Sequence, residues 1–151
     1  MRAFTLIELL IVILIFSFIM AVILGILHVS NLNLDSTLGM LQLTQEVRLV
    51  MDGMTREVRQ SSYNQATVSN AGSKLDFYIP NITPIISYYV QNNQLIREHS
   101  PGNKKVLANN ISQATFVANS SILQINITAA KTTIRNIPLS FSSMQQVKWR
   151  N

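Results

Sequence analysis

The hydrophobic pattern divides the chain into an apolar first segment and a longer part of mixed composition. From Leu9 to Leu27 the sequence contains no charged residue, and Gly25 is one of its few breaks. A helix from Phe4 to Leu27 would extend about 36 Å, which is enough for the roughly 30 Å hydrocarbon core of a bilayer. We therefore predict the transmembrane half of a helix over residues 4–30.

An amphipathic helical pattern follows the apolar segment. Apolar residues recur at spacings of three and four, while most charged residues fall off this stripe. The stripe consists of Met40, Leu43, Val47, Val50, Met54 and Val58. The pattern predicts one helix from Phe4 to about Ser61, softened near Gly25 and Gly39, with an amphipathic half at residues 31–62.

Beyond the helix, the period of the pattern changes to two. A polar loop is predicted through Ser73, and three segments after it alternate between apolar and polar residues. These segments are Leu75–Ile79, Ile86–Val90 and Leu123–Thr128. Turn-forming residues are found at Asn92–Asn93, Ser100–Asn103 and Asn119–Ser121. We expect Pro138–Phe141 and Val147–Trp149 to complete the sheet.

The order of these elements predicts the fold class. A long helix followed by consecutive hairpin-like strands is typical of α+β proteins, in which an antiparallel sheet packs on the helix. The 151 residues leave room for one compact domain. We predict that this domain is a β-sheet head of residues 63–151 attached to the helix.

Two ordinary explanations of the apolar N-terminus compete. A secretory signal would have an apolar stretch of about 7–15 residues and would end at a cleavage site between small residues. Here the stretch is longer, and Leu27-His28-Val29-Ser30 offers no such site. A plain membrane anchor fits better, with Arg2 on the cytoplasmic side and the head outside.

Glu8 distinguishes a plain anchor from a more specific segment. A carboxylate near the start of a membrane helix has a desolvation cost of about 1–3 kcal/mol, and no positive charge in the first turn offsets it. One interpretation is that Glu8 reaches the lipid headgroups or favours the positive end of the helix dipole. The other is that a partner protein supplies the missing positive charge.

The residues around Glu8 form a compact motif, Ala3-Phe4-Thr5-Leu6-Ile7-Glu8-Leu9-Leu10. This motif resembles the class III signal of type IV prepilins and type II secretion pseudopilins. In that family a membrane peptidase cuts before the Phe and methylates the new amino terminus. The resemblance implies a leader peptide of residues 1–3, cleavage between Ala3 and Phe4, and N-methylation of Phe4. It also implies that Glu8 pairs with the amino terminus of a neighbouring subunit during assembly.

Two positions depart from the family pattern. The residue before the cut is usually Gly, where this chain has Ala3. Major pilins tend to carry a Pro in the helix where this chain has Gly25. Gly weakens a helix by about 1 kcal/mol relative to Ala without removing a hydrogen bond. Gly25 therefore either provides local helix flexibility or is simply tolerated.

The end of the predicted helix resembles one subgroup of this family. Asp52–Gln60 is similar to the corresponding segment of J-type minor pseudopilins and related minor pilins. The resemblance implies the pilin fold and a structural role as a minor pilin or pseudopilin of a type IV pilus or a type II secretion pseudopilus. The implied partners are other pilins, the prepilin peptidase and an inner-membrane assembly platform. The implied location is the bacterial inner membrane, with a cytoplasmic N-terminus and a periplasmic or extracytoplasmic head, and afterwards the filament.

The charge of the head leaves one alternative function open. Residues 61–151 contain eight Lys or Arg and two acidic residues, so their net charge is about +6. A basic head could bind DNA, as competence pili do. The candidates near predicted turns are Lys104, Lys105, Lys131 and Arg135. Aromatic residues that would stack on bases do not interleave with these four.

The sequence lacks catalytic and metal-binding patterns. It has no Cys, and His28 and His99 stand in no arrangement with a serine or with paired carboxylates. Asp76 and Glu98 are the only acidic residues of the head, so no calcium loop is expected. The sequence therefore predicts a protein that is not an enzyme and that uses no metal or cofactor.

Overall fold

A computed structural model of the chain describes residues 5–80, 82–99, 102–134 and 136–149, without the side chains of residues 82–84. The chain separates into two compact units, Met1–Thr37 and Leu38–Asn151. One α-helix contributes residues to both units, and all strands belong to the second unit.

The helix α1 includes Leu6–Val58, a run of 53 residues that contains Gly25 and Gly39 without interruption. Its apolar residues within the first unit are exposed except for the half-buried Leu32, and by length and composition the helix could cross a membrane. The hydroxyl of Ser17 donates to the carbonyl of Ile13 (2.8 Å), so this polar group of the apolar segment has a partner within the helix itself. The predicted long helix is confirmed.

α1 ends at Val58 rather than near Ser61 as predicted. The amides of Gln60 and Ser61 donate to the carbonyls of Glu57 and Val58, at 3.0 and 2.9 Å. These bonds span three residues instead of four, so they tighten the last turn into a 3₁₀ geometry. The helical pattern of apolar residues also stops at Val58, and the prediction extended it too far.

The strands of the head form two antiparallel sheets. The first sheet contains, in spatial order, β1 (Ala66–Ser69), β2 (Lys74–Ile79), β3 (Ile82–Gln91), β4 (Gln94–His99) and β5 (Lys104–Ala108). The second contains β6 (Ile111–Ala118), β7 (Ile122–Thr132) and β8 (Pro138–Lys148). The α+β class with an antiparallel head is therefore confirmed.

The division into two sheets follows from one backbone position. Asn110, between β5 and β6, has a φ of 60°, a left-handed conformation that redirects the chain. The amide of Ile111 then donates to the carbonyl of Asn93 (2.9 Å), at the turn between β3 and β4. Because of this redirection, β6 does not extend the edge of the first sheet and begins a second one.

One hydrophobic core joins α1 within the second unit to both sheets. Every second side chain of β2 is buried, and the same alternation continues over most of β7, as the sequence pattern predicted. The buried apolar residues of α1 are Leu43, Val47, Val50, Met51, Met54 and Val58. Met40, which the predicted stripe included, is exposed because the buried part of the helix begins only at Leu43.

Two segments differ from the prediction. Part of the predicted polar loop forms β1, in which Ala66 and Val68 pair with Phe77 and Leu75 across β2. The segments Pro138–Phe141 and Val147–Trp149, predicted as separate, belong largely to the single strand β8. In both segments polar residues hid a strand that backbone pairing stabilises.

Polar cross-strand bonds replace apolar contacts in the middle of β8. The hydroxyl groups of Ser142 and Thr128 lie 3.1 Å apart, and the Ser142 hydroxyl also donates to Oδ1 of Asn126 (3.2 Å). Such pairs stabilise neighbouring strands without contributing to the hydrophobic pattern. The strand therefore continues through a stretch that periodicity alone leaves unassigned.

The predicted turns lie at strand connections. Asn92 and Asn93 join β3 to β4 with φ values of 51° and 57°, as a two-residue hairpin of type I′ requires. Gly102 has a φ of 111° between β4 and β5, where Ser100 and Pro101 lie outside the described residues. Asn119 closes the connection between β6 and β7 by donating its amide to the carbonyl of Ile122 (2.9 Å).

Candidate functional site

Glu8 lies in the first turn of α1 and caps the helix together with Thr5. The amide of Thr5 donates to Oε2 of Glu8 (2.9 Å), and the amide of Glu8 donates to Oγ1 of Thr5 (3.4 Å). This reciprocal pair is a capping box, which satisfies two N–H groups that the helix leaves unpaired. The spacing of Thr and Glu in the sequence contains this signal, and the sequence analysis missed it. Glu8 therefore has a local structural role in addition to any role in assembly.

The other predicted processing and flexibility residues are placed as follows. Ala3 and Phe4, the predicted cleavage and methylation residues, lie outside the described residues. Gly25 lies inside α1, and a Cβ added there would meet no atom within 4 Å. No contact in this chain therefore requires a Gly at that position, and helix flexibility at Gly25 stays a prediction.

The basic residues considered for DNA contact do not share one surface. Lys104 and Lys105 are consecutive in β5, so their side chains project from opposite faces of the sheet. Lys131 belongs to β7 of the second sheet, where its Nζ lies 3.3 Å from Oε1 of Gln42 on α1. Arg135 lies outside the described residues. Lys104, Lys105 and Lys131 therefore do not form a continuous basic surface.

A polar cluster between α1 and the first sheet was not predicted. The hydroxyl of Tyr88 donates to Oε2 of Glu57 (2.7 Å), and Nε of Arg97 donates to the same oxygen (3.0 Å). Tyr88 is only 1% exposed, and its burial, followed by its bond to Glu57, raises the pKa of its hydroxyl. The hydroxyl therefore keeps its proton and remains a donor to Glu57.

Strand register brings the cluster together. Tyr88 of β3 is directly opposite Arg97 of β4, and Arg97 is directly opposite Lys105 of β5. Residues directly opposite one another project from the same face of a sheet. This face packs against α1, because Tyr88 and Arg97 both reach Glu57 of that helix. The partners are 31 and 40 residues away from Glu57 along the chain, so no local pattern contained a signal for them.

An open cleft lies beside this cluster. It has a volume of about 400 Å³, which is within the range of small-ligand sites. Its charged and polar lining comes from Glu57, Tyr88, Arg97 and Lys105. Its other lining residues belong to α1 and β5 and are Leu49, Val50, Gly53, Met54 and Leu107. The cleft therefore combines two cations, one carboxylate and an apolar wall.

Metal-binding geometry is not found within the described ranges. No three His, Asp or Glu residues there lie close enough together to hold a metal ion. His28 and His99 belong to no such group.

The architecture defines the class of protein. A long helix with an apolar N-terminal part, followed by an antiparallel β-sheet head, is the α+β arrangement of pilin-like proteins. Residues 1–24 match the family model described as the prokaryotic N-terminal methylation motif. This match supports a type IV pilin-like subunit, a class of structural proteins that are generally not enzymes. No curated protein and no solved structure matches the chain significantly.

The motif has general consequences for partners and location. It implies processing by a prepilin peptidase and assembly with other pilins. Together with the apolar helix α1, it is consistent with anchoring in the inner membrane.

Proposed function

We propose that this chain is a minor pilin or pseudopilin of a type IV pilus or a type II secretion pseudopilus. The peptidase removes residues 1–3 and methylates Phe4, and the processed subunit enters the filament through α1. The similarity of Asp52–Gln60 to J-type minor pseudopilins favours that subgroup. The observation that carries the proposal is the methylation motif of residues 1–24, in which the exposed apolar part of α1 bears one carboxylate, Glu8.

The outer face of α1 supports assembly through the helix. Leu38, Leu41 and Leu49 are exposed, and the buried side chains of the same helix lie on its opposite side. Leucines at helical spacing on a water-facing side cost free energy unless a partner covers them. Helices of neighbouring subunits are the partners that the proposed function supplies.

Glu8 has a specific role in this proposal. Cleavage before Phe4 creates an ammonium group at the start of an apolar helix, and a lone ammonium or carboxylate in hydrocarbon is costly. If Glu8 of one subunit approaches the new amino terminus of another, each charge offsets the other. The pairing therefore favours assembled over separate subunits.

The processing step is tested by mass spectrometry of the chain extracted from membranes that contain an active prepilin peptidase. We expect the mass of a chain that lacks Met1–Ala3 and carries one additional methyl group on Phe4. An intact Met1 under these conditions would contradict the proposal, and cleavage without methylation would contradict its second half.

The assembly step is tested with Glu8→Gln and Glu8→Ala, by measuring incorporation into sheared filaments beside the membrane level of each variant. We expect normal membrane levels and lost incorporation. Thr5→Val is the matched control, because it removes the hydroxyl of the capping box and leaves the carboxylate of Glu8 in place. If Glu8 only caps the helix, Glu8→Gln should incorporate normally, because a Gln can accept the same bond from the amide of Thr5, and the impaired variants should be Glu8→Ala and Thr5→Val.

DNA capture by the head is the alternative function. The placement of Lys104 and Lys105 on opposite faces of β5 favours assembly as the main role. Filter binding of the full chain in micelles to DNA over a salt series tests the alternative, because phosphate contacts are strongest at low ionic strength.

A further inference from the structure

The cleft between α1 and the first sheet has an uncompensated positive charge. Arg97 and Lys105 are directly opposite each other on neighbouring strands. Like charges in this position destabilise a sheet unless an anion lies between or beside them. Glu57 provides one negative charge, and it binds Arg97. The cleft therefore has two cations and one carboxylate.

The donors of the two cations are only partly used. Arg97 donates from Nε to Glu57, with the Tyr88 hydroxyl as its other polar neighbour, and its two terminal nitrogens form no ion pair within the described part of the chain. Lys105 forms no ion pair with any described residue, whereas Lys74 pairs with Asp76 (2.9 Å) on the same sheet. The side chain of Arg97 is 23% exposed and Lys105 is exposed, so a ligand in the cleft would meet one partly desolvated cation and one solvated cation. Charge-assisted hydrogen bonds are stronger at a partly desolvated cation than on an open surface.

The helix side of the cleft is apolar and has a gap. Leu49, Gly53 and Glu57 follow one another at i, i+4 and i+8, so they lie along one side of α1. Leu49 is 74% exposed at the rim. Gly53 has no atom within 4 Å of the position that a Cβ would occupy, so the cleft is open in front of it. Gly is disfavoured inside a helix relative to Ala, although an Ala would fit here without a clash.

We propose that this cleft binds an acidic side chain, flanked by an apolar residue, from a different pilin-like subunit. The carboxylate lies between Arg97 and Lys105, and the apolar residue contacts Leu49 in the space beside Gly53. This partner assignment rests on the proposed function, since other subunits are the proteins that assembly brings to the head. The charge of the head, about +6, disfavours a second copy of this chain as the partner.

The shape of the cleft favours a peptide over nucleic acid. The two cations lie beside apolar side chains of α1 and β5 that line the rest of the cleft. A single carboxylate on an apolar side chain can therefore enter it. A nucleic-acid backbone instead needs a series of cations along its phosphates. Lys104, which would extend such a series along β5, projects from the opposite face.

The site is tested by titrating the full-length chain in zwitterionic micelles with a blocked tripeptide of leucine, glutamate and leucine. NMR shifts of the backbone amides of Gly53 and Lys105 report binding. We expect saturable shifts at both amides, which a tripeptide with glutamine in place of glutamate does not produce. Lys105→Gln should weaken binding at least about threefold, because one charge-assisted contact to a partly exposed carboxylate is lost.

Two further variants separate binding from folding. Lys104→Gln removes the adjacent positive charge from the opposite face and should leave the affinity unchanged. Gly53→Leu fills the open space and should abolish binding, while it favours the helix, because Leu is a better helix former than Gly. Fluorescence of Trp149, which is the only Trp and is buried, confirms that each variant is folded.

Three outcomes would overturn the proposal. They are equal shifts with the glutamine peptide, no shifts at millimolar glutamate peptide, and a greater effect of Lys104→Gln than of Lys105→Gln. Tighter binding of a thymidine oligonucleotide at the same amides would assign the cleft to nucleic acid instead. None of these outcomes depends on filament incorporation, so failure here is distinguishable from failure of the Glu8 experiments.

Discussion

The cluster of Glu57, Tyr88 and Arg97 should make a measurable contribution to the stability of the head. Glu57→Ala removes the carboxylate that accepts the hydrogen bond of the Tyr88 hydroxyl at 2.7 Å. Tyr88 as a residue is only 1% exposed. An unsatisfied buried hydroxyl costs about 1–3 kcal/mol. The lost ion pair with Arg97, which is partly exposed, adds at most about 1 kcal/mol. We therefore expect Glu57→Ala to lower the free energy of unfolding by about 1–4 kcal/mol.

A double-mutant cycle isolates the hydrogen bond from other effects. Tyr88→Phe alone should cost about 1 kcal/mol, because Glu57 keeps Arg97 as a donor. In the Glu57→Ala background the same change removes the unsatisfied hydroxyl and should cost nothing. The two substitutions should therefore be coupled by about 1 kcal/mol. Urea denaturation of the full-length chain in micelles, followed by the fluorescence of Trp149, measures each free energy.

The pair of Tyr89 and Glu98 is a matched control on the other face of the same two strands. The hydroxyl of Tyr89 donates to Oε2 of Glu98 (2.9 Å), but neither residue is buried. The corresponding cycle should give a coupling below about 0.5 kcal/mol, since water can replace the lost partner. If the Glu57 cycle is equally additive, burial does not strengthen the cluster and the reasoning above is wrong.

Three other substitutions or conditions test the described geometry. Ala71 has a φ of 53°, so Ala71→Gly should raise the free energy of unfolding by about 0.5–1 kcal/mol in urea denaturation. Met54 is fully buried and Leu49 is exposed, so Met54→Ala should cost about 2–4 kcal/mol and Leu49→Ala less than about 0.5 kcal/mol in the separate subunit. The pKa of Tyr88 is raised, so above pH 10.0 the folded state keeps the phenol proton that the unfolded state loses. The free energy of unfolding should therefore fall as the pH rises above about 10.0. Tyr88→Phe should reduce this fall in alkaline denaturation.

The fold was predictable where local patterns determine it. The apolar run and the stripe from Leu43 to Val58 predicted α1, and strict alternation predicted β2 and the first part of β7. Asn92 and Asn93 predicted a hairpin because few other residues accept positive φ at two consecutive positions. Besides the end of α1, the prediction missed β1, β5 and the middle of β8, and in β1 and β8 polar residues take part in backbone pairing and side-chain hydrogen bonds. Hydrophobic periodicity has no information about such strands.

The candidate sites show the same difference between local and distant information. The position of Glu8 in an apolar run predicted a functional role for its carboxylate. Its bond to Thr5 was also predictable from a local pattern, the Thr-x-x-Glu spacing of a capping box. The pairing of Glu57 with Tyr88 and Arg97 depends on the register of β3 and β4 and on how α1 packs on them. Register is set by the turn at Asn92–Asn93 and by burial over the whole sheet, so no window of sequence contains it.

Strand register also changes the meaning of the net charge. The net charge of about +6 counts Lys104 and Lys105 alike and does not show that they lie on different surfaces. In the sheet, however, the ammonium group of Lys104 lies 5.8 Å from the ring centroid of Tyr89. Its hydrogen bond to Tyr89 and the charge of Glu98 both raise the pKa of Lys104. Lys105 instead faces α1 beside Arg97. Two consecutive lysines thus act on different surfaces, and only the one opposite a second cation lacks a partner. The proposed binding of an acidic side chain therefore depends on the face on which a positive charge lies and on its neighbours there, rather than on the number of positive charges.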